Sequence, residues 1–184
     1  MKTYQLSGTI RQEVGKKATH AVRNSKNIPC VLYGGKENIH FQVIEGDVRK
    51  LIYTPDIFLI ELTINGIKHQ AVMKELQFHP VTDKPLHIDF YEVSSEKPIE
   101  MAVPVRLEGL AEGVKAGGKL QQNLRTLKVK GFVQHIPERL IINVDNLGLG
   151  KTIKVEELSF PNLTLTTPKT AIVATVNATR ATKK

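Results

Sequence analysis

The sequence holds a single cysteine, Cys30, so no intrachain disulfide can staple it. Cys30 sits between Pro29 and Val31 in an apolar run and reads as a small buried hydrophobe, not a nucleophile. No window approaches the roughly 18 apolar residues that a membrane-spanning helix needs. The opening Met1-Lys-Thr-Tyr-Gln5 lacks the apolar core of a secretion signal. These absences predict a cytoplasmic protein with no membrane partner. Asn162-Leu-Thr and Asn177-Ala-Thr match a glycosylation pattern that has no meaning in such a compartment.

Catalytic signatures are also lacking: there is no Gly-x-Ser-x-Gly and no His-Glu-x-x-His. Gly148-Leu-Gly-Lys-Thr152 resembles the end of a phosphate loop, but Asp145 stands where that loop's first glycine belongs. The segment also lacks a strand–loop–helix context, so a turn between strands accounts for it. His79, His87 and Asp89 are residue types that bind metals. His87-x-Asp89 puts two of them on one strand face, and no third ligand is implied locally. Glu156 and Glu157 point apart in either a strand or a helix. No enzyme, cofactor, metal or small-molecule substrate is expected.

Positive charge, by contrast, is plentiful. The 184 residues carry a formal net charge of +8, which favours a polyanionic partner. It is unevenly spread. Residues 1–36 hold seven Lys/Arg and one acid, whereas residues 37–93 hold five Lys/Arg and nine acids. Five cations (Arg11, Lys16, Lys17, Arg23 and Lys26) fall within sixteen residues. Gly15 supplies a permissive backbone point before a short helix. On that helix Lys16, His20 and Arg23 share one face at i, i+4 and i+7, with Ala18, Ala21 and Val22 expected to turn inward. A cationic face held against a rigid sheet suits a phosphate backbone.

Along the chain, period-two alternation predicts strands over 4–10, 30–33, 39–43, 58–64, 67–78 and 86–90. Pro29 disfavours helix at Ile28. A short helix fits Glu45 to Tyr53, stopped before Pro55. Asn65-Gly66 is the strongest hairpin signal. Ser94-Ser-Glu-Lys-Pro98 reads as the linker between domains 1–93 and 99–176. Beyond it, strands are predicted at 101–107, 124–133, 140–144, 163–165 and 171–176, and 109–118, with four glycines, as a flexible loop. Ile153–Leu158 is ambiguous between strand and a helical turn. Residues 177–184 are expected to form a disordered basic tail. The fold class is mainly β with short helices: a small N-terminal β-barrel followed by a second all-β domain.

Arg11, Gly15-Lys16, Arg23, Ile28-Pro29, Tyr33-Gly34, Gln77-Phe-His-Pro80 and His87-Ile-Asp-Phe90 together carry a family resemblance. The first half resembles the bacterial large-subunit ribosomal protein that binds 5S rRNA, of the general stress protein CTC family. The second half resembles the C-terminal domain of that family's longer members, through Val103-Pro-Val, Gly109, Glu112-Gly-Val, Gly117-Gly118, Ile136-Pro137 and Val144-Asp-Asn-Leu147. The resemblance runs from residue 2 to about 176. It implies a barrel similar to the anticodon-binding domain of glutaminyl-tRNA synthetase, seated against a widened minor groove of 5S rRNA. The RNA-contacting set it implies is Arg11, Lys16, Thr19, Arg23, Tyr33, Gln77, His87 and Asp89. The chain departs from the pattern at Lys17, where a glycine is common, and at His20 and Ala21, which replace two arginines. Lys17 and His20 are counted with the set as substitutes on the basic segment. The implied partners are 5S rRNA, the large ribosomal subunit and its neighbouring proteins. The alternative is a stress-related protein-interaction module off the ribosome, docking an acidic partner through the same basic patch.

Overall fold

Alternation of apolar and polar residues closes into a barrel in the first part of the chain. The computed structural model describes residues 1–35, 37–94 and 97–179. Two compact units divide at Lys97/Pro98. Of the expected linker, Ser95 and Glu96 lie outside the described residues.

The first unit holds strands β1 (Lys2–Ile10), β2 (Asn27–Tyr33), β3 (Ile39–Ile44), β4 (Phe58–Ile64), β5 (Ile67–Phe78) and β6 (Pro85–Glu92). Helix α1 (Lys16–Asn24) joins β1 to β2, and α2 (Glu45–Tyr53) joins β3 to β4. The strands close in the order β1-β3-β2-β6-β5-β4, with β4 returning to β1. Pairs β1/β4 and β2/β6 are parallel and the other neighbours antiparallel. Each strand sends alternate residues inward: Cys30 and Leu32 from β2, Phe41 and Val43 from β3, Ile60, Leu62 and Ile64 from β4, Ile88 and Phe90 from β6. Phe41 and Phe90 meet at the centre with ring centroids 5.6 Å apart. From α2, Val48 and Leu51 join the same core, and the Tyr4 hydroxyl donates to the Asp47 carbonyl, holding α2 to β1. At the β4–β5 hairpin Asn65 and Gly66 both have positive φ, 47° and 85°, as the Asn-Gly signal requires.

The second unit contains β7 (Ile99–Glu108), α3 (Glu112–Lys115), β8 (Lys119–Gln122), β9 (Thr126–Gly131), β10 (Leu140–Asn143), β11 (Thr152–Lys154), β12 (Thr164–Leu165) and β13 (Ile172–Asn177). They form two sheets, β10-β7-β9-β12 and β11-β13-β8. Val103, Leu127, Val129, Leu140 and Val173 are buried in this unit.

The structure corrects four sequence expectations. Residues 109–118 are not a flexible loop. They contain α3, and the Gly113 N–H donates to the Leu147 carbonyl at 2.9 Å. A Cβ on Gly113 would stand 2.6 Å from the Leu149 nitrogen, so this glycine serves close packing, not mobility. Strand β8 was not expected; Lys119-Leu-Gln-Gln122 has one apolar residue and becomes a strand by pairing with β13. The strand expected over 124–133 is shorter, because Val133–His135 turns into a 3₁₀ helix before Pro137. The expected tail does not begin at Asn177. That residue ends β13, its side-chain amide donates to Gln121 Oε1 at 2.7 Å, and the Thr179 hydroxyl donates to the Gly117 carbonyl. Residues 180–184 lie outside the described residues.

Candidate nucleic-acid interface

Because Cys30, Leu32, Ile88 and Phe90 point into the barrel, the residues between them on β2 and β6 point out. Register sets Val31 beside Asp89 beside Glu75, and His87 beside Gln77. The outer face of β2-β6-β5 thus carries a polar row: Tyr33, Asp89, His87, Glu75 and Gln77. His87 Nδ1 lies 2.7 Å from Asp89 Oδ1, which fixes the ring and aims its other nitrogen away from the pair. The Tyr33 ring meets Tyr91 edge-on at 5.6 Å. Partial burial, then the carboxylates of Asp89 and Glu75, push the Tyr33 phenol pKa up, so it stays neutral and able to donate.

Helix α1 packs on β2. Its entry residue, Gly15, has φ 113°, a conformation that favours glycine. The half-buried residues of α1 are Ala18, Thr19 and Val22. Ala21, expected to face inward, is exposed. The inner stripe runs i, i+1, i+4, and Thr19 stands in the place expected of Ala21. Thr19 Oγ1 donates to the Gly15 carbonyl at 2.7 Å and accepts from Arg11 Nη2 at 3.3 Å. Arg23 reaches across to β6, where Nε and Nη2 both donate to the Leu86 carbonyl at 3.1 and 3.0 Å. His20 Nδ1 lies 3.3 Å from the Asn24 amide. Lys16 and Lys17 are exposed.

The expected residues therefore sort into kinds. Arg11 and Arg23 are cations held in place by the protein. Lys16 and Lys17 are long, exposed cations on the helix surface. Tyr33, Gln77, His87 and Asp89 form the strand-face row. The Thr19 hydroxyl is bonded to the Gly15 carbonyl and to Arg11. Charges on Asp89 and Arg11 both act on the Cys30 thiol from outside the barrel wall, although burial is what pushes that thiol far above its ordinary range. Glu75 was missed by the sequence reading; its signal was a position two residues before Gln77 on the same strand face. His79 sits elsewhere, in the 79–84 turn, where its Nδ1 accepts from the Val81 and Thr82 N–H groups. Among the described residues no group of three His, Cys, Asp or Glu is placed to hold a metal, and no helix is long and apolar enough to cross a membrane.

Comparison with known proteins bears on the family of the chain. Residues 6–90 match the Ribosomal L25p family, and residues 98–180 match the C-terminal domain of ribosomal protein TL5. A protein of Porphyromonas gingivalis named large ribosomal subunit protein bL25 is 57% identical over 183 residues, covering 98% of this chain and 95% of its own. Its namesake in Azobacteroides pseudotrichonymphae is 55% identical over 181 residues, at 98% and 96% coverage. The Bacteroides fragilis protein of that name is 50% identical over 186 residues. The chain belongs to the ribosomal L25p family. Membership in this family of ribosomal proteins makes it a structural, non-enzymatic protein. The expected contact residues, from Arg11 to Asp89, all lie within the L25p-matched segment.

Proposed function

We propose that this chain is a constituent of the large ribosomal subunit, acting in the cytoplasm, and that it binds 5S rRNA through α1 and the outer face of β2-β6-β5. One observation carries the reading. Two arginines, Arg11 just after β1 and Arg23 on α1, are anchored by protein oxygens beside the wall that presents the His87–Asp89 pair. A-form RNA offers a wide, shallow minor groove lined by 2′-hydroxyls, flanked by phosphates. The short polar row suits the groove, and the cations of α1 suit the phosphates. Asp89 would be repelled by phosphate; held by His87, it accepts from a 2′-hydroxyl or a base amine. In this reading residues 1–93 form the RNA-binding domain and 99–176 a second domain facing neighbouring ribosomal proteins.

A gel-shift titration with 5S rRNA tests it. Arg11→Ala should weaken binding by roughly 1–3 kcal/mol, as for a charge-assisted contact. A parent chain that binds 5S rRNA no better than an unrelated RNA duplex rules the reading out. Co-sedimentation with the large subunit at low salt is expected as well, and its absence would favour a role off the ribosome.

A further inference from the structure

A second feature adjoins the α1 face, at the end of the barrel where β2 and β6 begin. Two concavities there, of about 330 and 350 Å³, share Lys26, Glu45 and Pro85 and so make one trough. One arm is lined by Arg23, His79 and Lys84, the other by Ile44, Arg49 and Tyr53. Tyr53 is 62% exposed and Ile44 58% exposed, although Val48 and Leu51 of the same helix are buried. The core thus anchors α2 firmly while an aromatic ring at its end stays in water. Lys26 and Arg49 line the same concavity as Tyr53 and Lys84 lines the adjoining one; among the described residues Glu45 is the one acid lining the trough.

Lys26 and Lys84 project from turns closed by backbone hydrogen bonds. Lys26 has φ 59° in the turn from α1 into β2, and its carbonyl accepts from the Glu45 N–H, which ties that turn to the start of α2. Lys84 ends a turn closed by the His79 N–H donating to the Lys84 carbonyl at 2.8 Å. His79 Nδ1 accepts two backbone N–H bonds, so in the neutral ring Nε2 carries the proton and can donate. Arg23 lines the trough and also belongs to the α1 face, so the two surfaces are continuous.

We propose that this trough takes one unpaired nucleotide of the RNA seated on α1: the base on Tyr53 and Ile44, its flanking phosphates on Lys26 and Lys84. The proposal rests on the RNA-binding function given above. An aromatic platform beside cations is how single-stranded nucleic acid is held without base readout, and an aromatic contact of this kind contributes a clear part of the affinity. An acidic peptide would use the cations but leave the aromatic platform without a role.

The full-length chain and 5S rRNA supply the test. Tyr53→Ala should weaken binding about tenfold, while Tyr53→Phe stays within about twofold of the parent. Lys26→Asn combined with Lys84→Gln should flatten the log–log salt slope by roughly 1.5, for two lost phosphate contacts. Asparagine is chosen at 26 because it tolerates positive φ. Thermal unfolding should be the same for Tyr53→Ala and parent. On a fully paired RNA duplex, Tyr53→Ala and parent should bind alike. If Arg11→Ala loses 5S rRNA affinity but the trough variants do not, the trough is no contact and the α1 interface stands. Equal loss for Tyr53→Ala on the pure duplex also overturns the proposal. A parent chain with no preference for 5S rRNA removes both readings together.

Discussion

At the scale of single residues, what distinguishes this surface is restraint. An arginine on a flexible loop must lose rotamer freedom when it meets a phosphate. Arg11 has already met Thr19, and Arg23 the Leu86 carbonyl, before any ligand arrives. Thr19→Val keeps the side-chain shape and removes the acceptor that Arg11 uses. RNA affinity should fall several-fold, and combining it with Arg11→Ala should add little, because both remove one arrangement. Additive losses in that double-mutant cycle would mean that Thr19 contacts the RNA separately. Cys30 makes a second test at this scale. It is 1% exposed, and burial pushes its thiol well above the ordinary range. A thiol reagent at mildly alkaline pH should leave the native protein unmodified and label it once denatured. Rapid stoichiometric labelling of native protein would show that the barrel wall opens.

At the scale of elements, α3 packs closely against the loop beside it in the second unit. A methyl group on Gly113 would strike backbone atoms of Gly148 and Leu149 at 2.7 and 2.6 Å, where nothing can yield without moving the chain. Gly113→Ala should therefore destabilise the second unit by roughly 1–3 kcal/mol, the usual penalty of overpacking. A melting temperature unchanged from the parent would contradict this close fit. Nearby, Asp145 Oδ1 accepts from the Leu110 N–H at 2.8 Å, and this bond, then Asn143, holds the Asp145 carboxyl below its ordinary pKa. The folded-state value is the lower one. Its stabilisation is thus present above the ordinary carboxylate range and is lost as pH falls through the depressed value. Asp145→Asn keeps an acceptor but cannot titrate, so its stability should depend less on acid pH than the parent's. Parallel acid limbs in thermal melts of the two proteins would show that Asp145 contributes nothing to it.

At the scale of the molecule, the net charge of +8 matters through its placement. If about five phosphates are neutralised at the α1 face, the log–log salt dependence of 5S rRNA affinity should have a slope near −4. A slope near zero would mean that the cations of α1 do not meet phosphate. The barrel was legible because its strands alternate with period two and end at turn residues, as at Asn65-Gly66. The second unit was less so. Strand β8 has one apolar residue among four, and the region of α3 was masked by glycines that serve packing. In the site, the residue types were legible but not all their partners: the one signal for Glu75 is its place two residues before Gln77, and its register beside Asp89 comes only from the pairing of β5 with β6.

In the barrel, the strands and the basic segment were settled by residue type and spacing: alternation directs each strand side chain into or out of the core, and clustered lysines and arginines place charge on a short helix. What those patterns could not decide is which strands become neighbours. Arg23 and Leu86 stand 63 residues apart and meet only because β2 and β6 pair side by side in a closed sheet. The same closure brings the α1–β2 turn, α2 and the 79–84 turn to one end of the barrel and makes the trough there. Alternation constrains φ, ψ and facing along a strand, whereas contacts between distant segments depend on register across strands, which is set by satisfying the hydrogen bonds and packing of the whole barrel at once.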